Sequence, residues 1–205
     1  MDNTVGSIST DFCNLQILNE ERAYIVGLWC ADGYHRTSSI GLSNTNSDLV
    51  NKFEKFFLKI FPKERIKIRT YNPDLKRRKQ AYHLYVNCRP LLRRFQEFRS
   101  NIREFIGRDL IPPYMAGRFD GDGSVAKDFY SDCRIVYGNI KEAENDFELM
   151  KKIGFQKMKI YNYQSSKTFC LYFSRFETNK FLSSIYPYSL RLQKSVFIPR
   201  RDLIS

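Results

Sequence analysis

Two ten-residue stretches decide the fold of this chain: YIVGLWCADG at Tyr24–Gly33 and YMAGRFDGDG at Tyr114–Gly123. They agree in their tyrosine, their first glycine, their penultimate aspartate and their last glycine, and the second stretch begins 90 positions after the first. A small residue also precedes each of these aspartates. Self-similarity at a fixed spacing indicates a duplicated structural unit. The sequence therefore predicts two copies of one fold.

The same spacing is kept downstream. Residues 65–71 read RIKIRTY and residues 157–163 read KMKIYNY. In both stretches apolar residues alternate with basic or aromatic ones, so that Ile66 and Ile68 share one face of the first stretch. Such a pattern is typical of an amphipathic strand whose apolar face lies on a core. The basic and aromatic face is then left for solvent or a ligand.

The sequence pattern of each copy predicts a helix, short strands, a second helix, two strands and a third helix. This order predicts an α+β fold with antiparallel sheets. We expect an N-terminal extension over residues 1–18, a first repeat over 19–108 and a second repeat with a C-terminal tail over 109–205. Helices are expected at residues 19–31, 47–61, 89–106, 112–121, 142–153 and 178–186. Strands are expected at residues 34–36, 39–44, 65–71, 81–88, 124–127, 133–137, 157–163 and 168–174.

A stripe of small residues runs along the first helix of each copy. Gly27 lies four positions before Ala31, and Gly117 lies four positions before Gly121. Glycine inside a helix costs about 1 kcal/mol relative to alanine, and its recurrence in both copies is not expected by chance. We predict that the two helices pack against each other at Gly27 and Gly117.

Asp32 and Asp122 fall at the C-terminal ends of these helices, each before a glycine expected to take the left-handed cap conformation. A carboxylate there meets the negative end of the helix dipole, and a second carboxylate beside it raises the electrostatic cost. A bound divalent cation would offset both of these unfavourable electrostatic interactions. A single Asp-Gly pair is more often a turn, but two such pairs in the same context favour a metal site. Oxygen ligands without a histidine or cysteine cluster favour Mg²⁺, with Mn²⁺ expected to substitute.

Charge and cysteine usage narrow the partners. The chain has 34 basic and 22 acidic residues, a net charge of +12, which favours nucleic acid as the partner. A basic ribosome-associated protein or a protein that binds anionic membranes would have the same sign of charge. The five cysteines show no CxxC spacing and there are two histidines, so no zinc site is expected. No apolar run approaches the ~18 residues of a membrane span, and residues 1–14 fit no targeting signal. We expect an intracellular, cytoplasmic protein without a membrane partner, with an organelle left open.

The paired decapeptides resemble the two motifs of single-chain LAGLIDADG homing endonucleases. The resemblance implies two pseudo-symmetric αββαββα halves joined through the paired motif helices, each with a saddle-shaped antiparallel sheet in the DNA major groove. It also implies that Asp32 and Asp122 are the catalytic metal ligands, with the carbonyl groups of Ala31 and Gly121 as further ligands. A monomer is expected, because the duplicated motif supplies the interface internally.

Three positions bear on this resemblance. Cys30 stands where the family commonly has aspartate, as the second motif does at Asp120. Arg118 replaces a usual apolar residue, and we expect it to point outward. Members often have a catalytic basic residue after the last helix of each half, for which Lys194 is the best match and Arg191 the second.

Double-stranded DNA is the expected partner. On this interpretation the polar faces of the strands read bases, and the loop residues Lys76–Lys79 contact phosphates. The residues assigned to DNA are Arg36, Arg65, Lys67, Arg69, Tyr71, Lys76, Arg77, Arg78, Lys79, Lys157, Lys159, Tyr161 and Tyr163. Two alternatives stay open: an RNA maturase that binds its host intron RNA, and a DNA-binding regulator that does not cleave.

Overall fold

A computed structural model describes residues 15–72, 80–129 and 131–199. Its elements are α1 (Glu20–Asp32), β1 (Gly33–Arg36), β2 (Ser39–Asn44), α2 (Ser47–Leu58), β3 (Lys67–Tyr71), β4 (Ala81–Asn87), α3 (Arg89–Phe105), α4 (Ile111–Asp122), β5 (Gly123–Val125), β6 (Cys133–Tyr137), α5 (Ile140–Lys152), β7 (Met158–Tyr163), β8 (Thr168–Phe173), α6 (Arg175–Ile185) and α7 (Leu190–Gln193). Short 3-10 turns at Lys63–Arg65 and Arg108–Leu110 precede β3 and α4.

The described residues group by their contacts into two units. One contains residues 33–96 and the other contains residues 17–32 and 97–199. Helix α1 belongs to the second unit because it packs along α4. The two motif helices therefore lie in the same unit, although most of the first repeat does not.

The first unit is a four-stranded antiparallel sheet in the order β1-β2-β4-β3, with α2 packed on one face. Helix α2 is capped by Asn46, whose side chain accepts a hydrogen bond from the backbone N–H of Asp48 at 3.0 Å and so satisfies one unpaired donor of the first turn. Its apolar stripe, which includes Phe53 and Phe57, is fully buried. Burial of this stripe against the sheet forms the core of the unit.

The second unit contains a sheet with the same connectivity, in the order β5-β6-β8-β7. Helix α5 packs on this sheet. It is capped by Asn139, which accepts from the backbone N–H of Lys141 at 2.9 Å. The α+β class and the two antiparallel sheets predicted from the sequence are therefore confirmed.

Strand pairing gives each sheet one apolar face and one polar face. In the first sheet Ile40, Leu42 and Leu84 are buried on the helix-covered face. In the second sheet Ile135 and Leu171 are buried in the same way. We call the opposite faces the open faces. They carry the following residues: Tyr34, Arg36, Lys67, Arg69, Tyr71, His83 and Tyr85 in the first sheet, and Arg134, Lys159, Tyr161, Tyr163 and Tyr172 in the second.

Two of the predicted DNA-binding residues lie outside the strands, whereas Ile68 lies in a strand on its predicted face. Arg65 ends a 3-10 turn, and its guanidinium donates to the Asn87 carbonyl at 2.9 Å, so it is not a strand residue. Lys157 precedes β7, with its ammonium group 4.7 Å from the centre of the Phe176 ring. Ile68 faces the same side as Leu84 but remains 47% exposed, because β3 is an edge strand.

No helix in the described part of the chain is long and apolar enough to span a bilayer.

Candidate active site at the paired helix ends

The motif helices α1 and α4 touch backbone to backbone. A Cβ atom added at Gly27 would lie 2.0 Å from the carbonyl oxygen of Tyr114, and one added at Gly117 would lie 2.1 Å from the carbonyl oxygen of Tyr24. Both distances are far below van der Waals contact, so only glycine fits at either position. The structure brings Gly27 and Gly117 together at the crossing of the two helices.

Asp32 and Asp122 are the last residues of α1 and α4. A Cβ atom at Gly121 would lie 2.4 Å from the Cβ of Ala31 and 2.9 Å from Oδ2 of Asp32. The Asp32 carboxylate thus reaches the end of the neighbouring helix. Burial, and then the negative charge of Asp32, raise the pKa of Asp122 to about 6. The two carboxylates are therefore close enough to repel each other.

The glycine after Asp122 has a different role from the one predicted. Gly123 is extended, with φ −79° and ψ 150°, so the expected left-handed cap is wrong. The chain passes from α4 directly into β5 without a turn. A Cβ atom at Gly123 would lie 2.3 Å from Cδ2 of Phe119. Glycine is needed here for close packing and not for a positive φ.

The donor set at the helix ends fits a hard divalent cation. Two carboxylates that repel each other gain from a shared positive charge, and oxygen ligands suit Mg²⁺. Among the described residues no group of three or more histidine, cysteine, aspartate or glutamate side chains could hold a metal alone. Asp32 and Asp122 would therefore supply only part of a coordination shell, which leaves positions for water and for phosphate oxygens.

Asp120, in the second motif, has a structural role that the sequence did not reveal. Its carboxylate is 2% exposed and accepts hydrogen bonds from the Tyr24 hydroxyl at 2.7 Å and from the backbone N–H of Leu190 at 2.8 Å. The Ser189 hydroxyl also donates to it. These contacts fix the start of α7 against α4.

Arg191, in α7, closes the C-terminal end of α4. One guanidinium nitrogen donates to the carbonyl oxygens of Phe119 at 2.8 Å, Asp120 at 3.2 Å and Gly123 at 2.9 Å. A cation there also complements the helix dipole. Lys194, our first candidate for the basic residue, is exposed directly after α7.

Arg118 does not point outward as expected. It is 1% exposed and donates to Asp146 at 3.0 Å and to Glu142 at 3.3 Å, with its guanidinium 4.4 Å from the centre of the Tyr137 ring. Arg118 lies one helical turn before Asp122, and its charge opposes the rise in the pKa of that aspartate. The i,i+4 spacing of Glu142 and Asp146 on α5 was the available sequence signal.

Cys30 stands in the first motif where the second motif has Asp120. Burial raises the pKa of the Cys30 thiol to about 12, so the group stays neutral. Tyr24 donates to Asp120 of the facing motif, but Tyr114 meets Cys30 instead of a carboxylate. The Tyr114 hydroxyl donates to Asp146 of α5 at 2.9 Å. Asp146 therefore supplies the acceptor that the first motif lacks.

We expect Arg118→Leu, which copies Leu28 of the first motif, to lower the free energy of unfolding by about 3–5 kcal/mol, because it leaves Asp146 buried without a cation. Urea unfolding would measure the loss. The double variant Arg118→Leu with Asp146→Asn removes both charges and keeps an acceptor for Tyr114. It should recover more than half of the lost free energy of unfolding. Wild-type stability of the single variant would show that the ion pair contributes nothing.

The raised pKa of Asp122 sets a pH dependence. Because its folded pKa of about 6 exceeds the ordinary value of 3.8, the folded state holds the proton more tightly than the unfolded chain does. Without metal, stability should fall as pH rises from about 4 to about 6.5, by at most about 3 kcal/mol. Thermal unfolding of the wild type and of Asp122→Asn would test this. The fall should be smaller in the variant, and parallel pH profiles would contradict this prediction.

Most of the DNA-binding residues predicted from the sequence lie on the open faces. The open face of the first sheet carries Arg36, Lys67, Arg69 and Tyr71. The open face of the second sheet carries Lys159, Tyr161 and Tyr163. Lys76–Lys79 lie outside the described residues. The sequence analysis missed five residues of the open faces: Tyr34, His83, Tyr85, Arg134 and Tyr172. All but Tyr34 are flanked along their strands by a buried residue and could have been found by the same argument.

Comparison with known proteins identifies the fold. Residues 19–98 match the LAGLIDADG-like domain family. No curated protein sequence matches the chain. The crystal structure of I-DmoI in complex with DNA and Mn is similar with a TM-score of 0.63, at 16% identity over 86% of this chain and 98% of that one.

Two further structures share the fold. An I-DmoI variant with its target DNA in the presence of Mg has a TM-score of 0.61, at 17% identity over 82% of this chain and 96% of that one. The N-terminal LAGLIDADG domain of DUF199/WhiA has a TM-score of 0.60, at 15% identity over 87% of each chain. The chain therefore carries a LAGLIDADG-like domain over residues 19–98 and has the LAGLIDADG fold.

Proposed function

We propose that this protein is a divalent-metal-dependent endonuclease that makes a staggered cut in both strands of a specific duplex DNA site, as in intron or intein homing. The observation that supports this most strongly is the pair of carboxylates at the touching ends of α1 and α4. Burial raises the pKa of Asp122, and the nearby charge of Asp32 raises it further. A folded protein keeps such a repulsive pair where a ligand uses it.

Mg²⁺ is the proposed cofactor, with Mn²⁺ as a substitute. I-DmoI has been crystallised with DNA and Mn, and a variant of it in the presence of Mg. Asp32 and Asp122 would hold the metal, with the carbonyl groups of Ala31 and Gly121 as further ligands. When bound, the metal supplies a Lewis acid that activates water and neutralises charge on the phosphate.

The protein residues then have distinct tasks. Two carboxylates at adjacent helix ends would set two cleavage positions side by side, which suits one cut per strand across the minor groove. Arg191 and Asp120 hold the end of α4 and so fix the position of Asp122. Lys194 remains our candidate for the basic residue that polarises the phosphate.

Duplex DNA is the proposed partner, and the open faces are its proposed binding surfaces. A net charge of +12 attracts a polyanion, and exposed Arg, Lys and Tyr side chains on both sheets match major-groove chemistry. The chain is proposed to act as a monomer, because both motif helices come from one polypeptide and already pair in one unit.

The test is a cleavage assay and a gel-shift assay on a random duplex library, each with Mg²⁺ and with Ca²⁺. The proposal predicts selective binding in Ca²⁺ and cutting of the same site in Mg²⁺. Tight binding without cutting in any divalent metal would instead indicate a DNA-binding regulator. Preference for a folded intron RNA over every duplex would indicate a maturase.

A further inference from the structure

The open face of the first sheet contains a depression of about 170 Å³. Its walls come from strands β1, β3 and β4, and most of its lining is aromatic. The residues that line it are Tyr34, Arg36, Arg69, Tyr71, His83 and Tyr85. We call it the aromatic slot.

Strand register creates the aromatic slot. Tyr34 pairs with Gly41 in β2, and Gly41 pairs with Tyr85 in β4, so a glycine separates the two tyrosines on this face. A Cβ atom at Gly41 would lie 1.9 Å from the carbonyl oxygen of Leu84. No side chain can occupy that position, and the Tyr34 and Tyr85 rings approach each other across it, with their centroids 6.1 Å apart.

The rings meet edge to face and not as a stack. Tyr34 and His83 have centroids 5.8 Å apart at an interplanar angle of 89°, and Tyr71 approaches His83 at 6.0 Å and 61°. Tilted rings enclose a small apolar hollow. They do not form the flat platform on which the bases of a single strand stack.

Two arginines form the rim. The guanidinium of Arg36 lies 5.9 Å from the centre of the Tyr34 ring, and that of Arg69 lies 5.4 Å from the centre of the Tyr85 ring. Both guanidinium groups are on exposed residues. They cover ring faces that a stacked base would need, and they place two positive charges at the mouth. The slot thus combines an apolar interior with a cationic edge.

This combination matches one feature of duplex DNA. In the major groove the bases present hydrogen-bond donors and acceptors, and thymine alone adds an apolar group, its 5-methyl. An aromatic hollow accommodates that methyl, while arginines at the rim pair with a phosphate or a neighbouring base. We propose that the aromatic slot reads a thymine in the target duplex through its 5-methyl group. This proposal rests on the proposed function, because it requires the open face to lie against DNA.

The experiment first selects duplexes from a random library with the full chain in Ca²⁺. Each thymine of the selected site is then replaced singly by deoxyuridine, which removes only the methyl. We expect replacement at one position to weaken binding about fourfold or more, the value of one buried methyl. In Tyr34→Ala and His83→Ala, thymine and uracil at that position should bind equally.

Lys67→Ala is the matched control, because Lys67 lies on the same face but does not line the slot. It should weaken binding to the thymine and uracil duplexes by the same factor, leaving their ratio unchanged. Circular dichroism of each variant checks that the sheet is folded. Should one slot variant unfold, the other gives the readout.

The outcomes separate this proposal from the one on which it rests. If a site is selected but no uracil replacement changes affinity, the thymine assignment is wrong and DNA binding stands. If the preference survives in both slot variants, a different surface reads the methyl and the slot is wrongly assigned. If no duplex is selected, the proposed function fails and this inference fails with it.

Discussion

Replacing Asp32 and Asp122 together with asparagine should abolish Mg²⁺-dependent cutting while leaving DNA binding intact. Asparagine keeps the shape of both side chains and removes the charges that would hold a cation. The cutting rate should fall on the order of a thousandfold or more. Binding should survive because the candidate recognition residues lie on the open faces and not at the helix ends. Paired cleavage and gel-shift assays on one selected duplex measure both quantities.

Stability gives a second readout of the same variant. Burial and the charge of Asp32 both raise the pKa of Asp122, so the ionised pair is destabilising without metal, and the double variant should unfold at an equal or higher temperature. Asp109→Asn, at an exposed position in the turn before α4, is the matched control and should change neither cutting nor stability. Cutting at the wild-type rate by the double variant would rule out these aspartates as the metal site.

Replacing Gly27 or Gly117 with alanine should destabilise the protein by about 3 kcal/mol or more. In an ordinary helix the same change stabilises by about 1 kcal/mol, so the expected effect has the opposite sign. The reason is geometric: the new methyl group would meet a backbone carbonyl oxygen of the facing helix at about 2 Å. Backbone atoms cannot rotate aside, and the helices would have to separate.

Urea unfolding of the alanine variants measures this effect. Gly138→Ala is the control, because a Cβ atom there has no neighbour within 4 Å among the described atoms. It should leave the unfolding midpoint nearly unchanged. An increase in stability for Gly27→Ala would mean that α1 and α4 do not cross at this position.

Much of the fold followed from local pattern. The period-two alternation around Ile66 and Met158 predicted strands with one polar face, and the sheets have such faces because alternation is a property of the strand itself. Asn46 or Ser47 was expected to cap α2, and the structure places the cap at Asn46. Asp32 and Asp122 were expected at helix ends because a small residue and a glycine flank each of them, and α1 and α4 end there.

Local sequence patterns could not predict which residues each side chain contacts in the folded protein. Arg118 looked like an outward residue because a lone cation in an apolar helix usually avoids the core. Its burial depends on Glu142 and Asp146, more than twenty positions away, and no feature of α4 reveals them. Gly123 was expected to be left-handed because helices often end so. The immediate start of β5 requires an extended residue instead.

The grouping of α1 with the second unit has a consequence for synthesis. Helix α1 leaves the ribosome early, but its partner α4 begins about 90 residues later, which at 5–20 residues per second is a delay of roughly 5–20 s. Eight of its thirteen residues are buried in the finished protein, so during that interval an apolar helix has no packing partner. Residues 33–96, which contain the first sheet, are synthesised before α4, so α1 can pair with α4 only after them. A nascent chain stalled after the first repeat would thus present the surface that chaperones bind.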